Sequence, residues 1–160
     1  MTYPDPLFTG FEPEMTATIS RAGTEPDLVR TSGTEVHYLA TSDTTGGLFG
    51  LYRWSMGPGR GGADPHFHRT IAESFYILTG AVQVYDGNEW VDADVGDFVH
   101  VPPGGIHGFR NESGAPASML IHFAPGAPRE QYFDGLNQLD EMSAEERADF
   151  FLAHDNNYPT

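Results

Sequence analysis

The sequence predicts an all-β fold of the barrel kind, and three observations predict it. Gly and Pro are abundant, 19 and 12 in 160 residues, and they are spread along the chain rather than clustered. Between them Val, Ile, Phe, Tyr and Thr recur in short runs, as strands punctuated by turns require. The runs are many and regularly spaced, which suggests a closed or double-sheet barrel.

The length is near that of one domain, and a second catalytic domain would leave both parts small. The formal net charge is -15, and all eight basic residues are arginines scattered singly along the chain. No basic stripe exists to track phosphates, so nucleic acid is not an expected partner. Cysteine is absent, so any metal must be held by His and carboxylate. The opening residues MTYPDPLFTGFEPEM have neither a basic start nor a continuous apolar run, so no membrane partner is expected and the cytoplasm is the default location.

Residues 1–34 carry many Pro, Gly, Thr and Glu with little alternation, which reads as an arm lying on the barrel or on a second subunit. The barrel is expected over 35–125. It opens with Val36 to Leu39 and continues with Leu48 to Met56, where Leu48, Tyr52, Trp54 and Met56 share one parity. The stretch GPGRGG at 57–62 must be a loop, with a short strand beginning near His66 to His68. Strand runs follow at 74–79, 81–85, 89–91, 98–101, 107–110 and 117–123, separated by Gly- and Pro-rich turns. Residues 126–160 read as a helical tail on the barrel. Arg129 to Leu136 is one expected helix, and Ser143 with Glu146 makes a capping box before a second.

Chemistry concentrates in two segments. In DPHFHRTIAESFYILTG, residues 64–80, His66 and His68 are two apart and project from one face of a strand, so both reach one ion. Glu73 follows His68 by five, an odd separation, so a turn over Arg69 to Ala72 must reset the register before Glu73 faces the same interior. In GDFVHVPPGGIHGFRN, residues 96–111, a Pro-Pro-Gly-Gly turn delivers His107 as a fourth ligand. His37, His100, His122 and His154 fall outside this spacing and are expected to be structural or to support the ligands from behind.

These two segments resemble the two motifs of the cupin superfamily. The first motif runs His-x-His, three or four residues, Glu, six residues, Gly, matched by His66, His68, Glu73 and Gly80. The second runs Gly, five residues, Pro-x-Gly, two residues, His, three residues, Asn, matched by Gly96, Pro102, Gly104, His107 and Asn111. The family often has Gly six positions before the first His, where this chain has Arg60. The resemblance implies a cupin-type jelly-roll β-barrel with an interior metal, often as a homodimer, and Asn111 fastening the turn after the metal histidine.

Three imidazoles and one carboxylate suit one divalent transition metal ion, Fe, Ni, Mn, Co or Zn, without selecting among them. The candidate pocket wall is Tyr52, Trp54, Phe75, Ile77 and Phe109, by parity with the ligands or position beside them. The leading expectation is an oxygenase acting on a small enolic or aromatic substrate of flavonol or polyketide type, with Glu73 as ligand and base. The same ligands serve a non-redox isomerase, cyclase or dehydratase equally well, or a non-enzymatic metal- or ligand-binding protein.

Overall fold

The computed structural model describes residues 2–14, 16–59 and 61–159. Residues 2–14 and 16–27 run without helix or strand, and Tyr3, Leu7 and Phe11 on this arm are exposed. The last part of the arm is tied to the body. The Ser20 hydroxyl donates to the Leu39 carbonyl at 2.9 Å, and the Tyr38 N–H donates to Asp27 at 2.8 Å.

Among the described residues ten antiparallel strands follow: β1 (Leu28–Val29), β2 (Glu35–Ala40), β3 (Gly50–Met56), β4 (Gly62–His66), β5 (Ala72–Thr79), β6 (Val82–Tyr85), β7 (Trp90–Ala93), β8 (Phe98–Val101), β9 (His107–Arg110) and β10 (Ala117–Ala124). They form a six-stranded sheet in the order β1-β2-β3-β10-β5-β8 and a four-stranded sheet in the order β4-β9-β6-β7. This is the jelly-roll arrangement, with two hydrogen-bonded sheets rather than one continuous closed ladder.

The alternation of side chains explains the packing. β3 and β10 are buried at every second residue, which turns Tyr52, Trp54, Met56, Met119, Ile121 and Phe123 inward. The smaller sheet contributes Val82, Val84 and Phe109 to the same core. Phe109 meets Trp54 edge-on at 5.9 Å and Phe75 at 5.6 Å between ring centroids, so the two sheets touch through aromatic rings.

One position departs from the expected alternation. Leu48 does not share the inner face with Tyr52 but precedes β3 and is exposed, while Gly50 takes the inward position. The cause is the turn before it, where Gly46 and Gly47 both adopt positive φ and bring the chain round before the ladder begins. Arg60, where the motif departs from the family pattern, lies outside the described residues.

After β10 come α1 (Arg129–Gly135), a 3₁₀ helix over Leu136–Glu141 and α2 (Ala144–Ala153). The capping box forms as the spacing predicts, with the Glu146 N–H donating to the Ser143 hydroxyl and the Ser143 N–H donating to the Glu146 carboxylate. Glu145, Glu146 and Asp149 face solvent. Among the described residues, no helix is long and apolar enough to cross a membrane.

Asn111 follows β9, completely buried, and ties the loop after β9 to the loop after β3. Its amide nitrogen donates to the carbonyls of Gly57 and Ala115, and its oxygen accepts from the N–H and hydroxyl of Ser113. Asn111→Ala would strip buried groups of their partners, at about 1–3 kcal/mol for an unsatisfied group. Urea unfolding of this variant is expected to show a midpoint lowered by at least that much stability, with the slope unchanged.

Candidate metal centre

The ligand candidates come from both sheets. β4 and β9 are neighbours in the small sheet, and their register sets His66 directly opposite His107. His68 lies two residues on, past the end of β4, where the backbone is held from two sides. Phe67 bridges to Asn157, and the Gly104 N–H donates to the His68 carbonyl at 2.7 Å. Gly104 has a φ of +85°, a conformation that glycine adopts without strain, so the Pro-Pro-Gly-Gly turn can close on His68.

The chain then turns at Arg69 and Thr70 into β5, which belongs to the large sheet and carries Glu73 opposite Val101 and Phe123. This is the change of register that the odd separation of His68 and Glu73 demands. The turn is capped from far away in sequence. The Asp155 carboxylate accepts from the N–H groups of Arg69 and Thr70, each at 2.9 Å, and from the Thr70 hydroxyl at 2.7 Å.

The structure brings His66, His68, Glu73 and His107 together, all buried, with one potential ligand atom from each lying within 4.8 Å of the others. Each imidazole is oriented by a backbone carbonyl: Nδ1–H of His66 donates to Asp64 at 2.8 Å, that of His68 to Asp155 at 2.7 Å and that of His107 to Gly105 at 2.9 Å. With the proton committed to Nδ1, a neutral ring presents the bare Nε2 lone pair. Nε2 of His68 and His107 lie 2.9 and 2.8 Å from the same oxygen, Oε2 of Glu73. Two lone pairs so close to an anionic oxygen repel unless a cation or an added proton stands among them. A divalent ion satisfies all four groups at once, so the donor set fits a metal.

Without an ion, the cluster's electrostatics keep His66 neutral and favour a proton on His107 beside Glu73. Burial pushes His66 down to about 3 against its ordinary 6.5, the charge of Glu73 opposing this and the neighbouring imidazoles adding to it. It is therefore a neutral ligand at physiological pH. Burial alone would raise the Glu73 carboxyl, but His107 and then His68 overcome it and hold it well below its usual range. Burial would likewise lower His107, and the Glu73 charge and hydrogen bond turn the net effect upward.

A cavity of about 180 Å³ adjoins the ligands His66 and Glu73. Of the expected wall, Trp54 and Phe109 line it; Tyr52, Phe75 and Ile77 do not, being fully buried in the core. Tyr52 is instead a bracing residue, its hydroxyl donating to Glu130 and its ring packed edge-on against Phe133. The wall also contains Arg30, Arg129, Phe133 and Tyr158, which sequence reasoning did not single out. Nothing in local spacing marks them, because the arm and the C-terminal tail reach the site only through tertiary packing. His37, His100, His122 and His154 all lie outside the cluster.

The fold and site define a two-sheet β-barrel protein with a mixed histidine and carboxylate ligand set in its interior. Residues 52–123 match the family model for the cupin domain. Quercetin 2,3-dioxygenase from Bacillus subtilis (strain 168) is 30% identical over 83 residues, 51% of this chain and 24% of that protein. The match thus spans about a quarter of that relative's length. Among solved structures, a protein described as a predicted oxalate decarboxylase from Thermotoga maritima gives a TM-score of 0.61 at 18% identity, covering 68% of this chain and 99% of that one. KdgF from Halomonas sp. gives 0.59 at 16% identity, covering 69% and 96%. The protein TT1209 from Thermus thermophilus gives 0.53 at 26% identity, covering 61% and 89%. Over residues 52–123 the chain thus carries the likeness to the cupin domain, and the solved structures share its fold.

Two outcomes follow from the site. His66→Ala and His107→Ala are each expected to abolish stoichiometric metal in elemental analysis, while Glu73→Gln weakens binding at least roughly tenfold; normal metal content in both histidine variants would show that the ion is not held here. The second concerns the metal-free protein. His66 is depressed to about 3 when folded and titrates near 6.5 when unfolded, so the unfolded chain binds the extra proton between these values and stability falls as pH drops through that window. His107, raised when folded, has the opposite sign and loses its contribution as pH rises through its raised value. Urea unfolding at pH 6.5 and 4.5 should therefore show a larger loss for the wild type than for His66→Gln.

Proposed function

We propose that this protein is a metal-dependent oxygenase acting on a small oxygenated organic substrate, with His66, His68, Glu73 and His107 as the metal ligands. The observation that carries the reading is the convergence of three carbonyl-oriented imidazoles and one buried carboxylate beside a cavity walled by aromatic rings. The match to a quercetin 2,3-dioxygenase supports oxidative chemistry over 51% of this chain. Iron or nickel suits such chemistry, and both tolerate a nitrogen and oxygen ligand set.

The ion, when bound, supplies Lewis acidity toward an enol or phenol oxygen and positions for O₂. The remaining work falls to the chain. Trp54, Phe109 and Phe133 exclude water from the substrate and hold its apolar body. Glu73 is ionised at neutral pH, so its carboxylate oxygens can accept the acidic enol or phenol proton. The backbone carbonyls on Nδ1 keep the imidazoles in one tautomer while this happens.

Oxygen consumption tests the reading. Iron- or nickel-loaded protein is expected to consume O₂ in stopped-flow with at least one member of a panel of enolic and phenolic substrates, and Glu73→Gln to reduce the rate by roughly 100-fold or more. No uptake with either metal would reject the oxygenase. Turnover under argon would instead assign a non-redox isomerisation, cyclisation or dehydration, and bound metal without turnover of any kind a binding role.

A further inference from the structure

Arg129 is the first residue of α1 and only 4% exposed, yet among the described residues its guanidinium forms no ion pair with a carboxylate. It lies 4.2 Å from the centroid of the Tyr132 ring and 4.9 Å from that of Phe123. Two of its five N–H groups are committed, Nη1 to the His154 carbonyl at 2.7 Å and Nη2 to the Asn156 side-chain oxygen at 3.0 Å. Both acceptors are neutral. Nε is buried without a hydrogen-bond partner.

The bland account is that Arg129 fastens the C-terminal tail. Two neutral acceptors would be served as well by a neutral donor, and burying an unpaired cation costs several kcal/mol. The charge and the unused N–H groups therefore remain unexplained by the tail. Their position supplies the explanation, because Arg129 lines the same cavity as His66 and Glu73.

A second cation faces the same space. Arg30 follows β1, sits over the Trp54 ring at 5.9 Å and also has a buried Nε without a partner. Asp64 and Glu73 are the carboxylates of the wall, and Glu73 belongs to the ligand set. With a divalent ion held by the cluster, the two guanidiniums and the ion would outweigh them and make the cavity electropositive inside a chain whose net charge is -15. Its size is a further guide, although the cavity opens to solvent. A protein cavity of about 150 Å³ takes a single benzene ring, and this one is about 180 Å³.

We propose that the cavity receives a carboxylate-bearing compound of about one ring, its anionic group met by Arg129 with Arg30 beside it and its oxygenated end directed at the metal ligands. This names the substrate class for the metal-enzyme reading above and rests on it. A guanidinium fork matches a carboxylate in plane and in charge, while the aromatic wall takes the ring.

Benzoate and its neutral counterpart benzamide differ in charge and little in shape, so calorimetric titration of the zinc-loaded protein with each isolates the anion contribution. Benzoate is expected to bind at least tenfold more tightly than benzamide. That preference should fall at least fivefold in Arg129→Gln and measurably in Arg30→Gln, with zinc content unchanged. Arg30 makes no side-chain hydrogen bond among the described residues, so its variant decides the matter if Arg129→Gln fails to fold. Equal binding of the two probes by wild type, or a preference unaltered in the folded variants, overturns the proposal while leaving the metal centre intact. Failure of the wild type to take up zinc would overturn the metal centre instead, and the same titrations on metal-free protein then decide the anion site.

Discussion

The interior of this protein is organised around one buried negative charge, the carboxylate of Glu73. A carboxylate removed from water is costly unless cations or donors surround it. Three imidazoles surround this one, but each has its Nδ1 proton engaged by a backbone carbonyl. In their neutral form the rings therefore turn lone pairs toward the anion. Such an arrangement is frustrated as a hydrogen-bonded cluster and satisfied as a coordination sphere, which is why the geometry of the carbonyls says as much about the metal as the ligands themselves.

The two-sheet architecture is what makes this arrangement rigid. His66 and His107 are fixed relative to one another by a cross-strand register in the small sheet, and Glu73 by its pairing with Val101 and Phe123 in the large one. The distance between the pairs is then set by aromatic packing between the sheets, through Trp54, Phe75 and Phe109. His68 alone has no strand to hold it. Its constraints come from the Gly104 N–H, the Phe67 to Asn157 bridge and the Asp155 carbonyl, two of which belong to the C-terminal tail. The tail is thus part of the site rather than a buttress on its outside.

What could be read in the sequence follows from how local its cause is. The clustering of the four candidate ligands was legible because strand periodicity, a turn of fixed composition and an odd separation act within a few residues of His66, Glu73 and His107. The capping box at Ser143 was legible for the same reason. Depth was not: Tyr52, Phe75 and Ile77 share the inward parity of Trp54 and Phe109, but the sheets close over the first three and leave the other two on the cavity. Nor was the tail, since the bond from His68 to Asp155 spans 87 residues and has no local signature.

That long-range bond also links the metal ligands to the cavity's charge. Arg129 donates to His154 and Asn156, the residues flanking Asp155, and Asp155 both orients the His68 ring and caps the turn leading to Glu73. Asp155 has a φ of 56°, in the left-handed region that few non-glycine residues adopt. This conformation lets its carbonyl and its carboxylate serve two different parts of the site at once. An anion drawn to Arg129 would thus engage the residue that also anchors the support of two metal ligands. On the proposed anion site, substrate recognition and metal geometry would be mechanically connected through three consecutive residues of the tail.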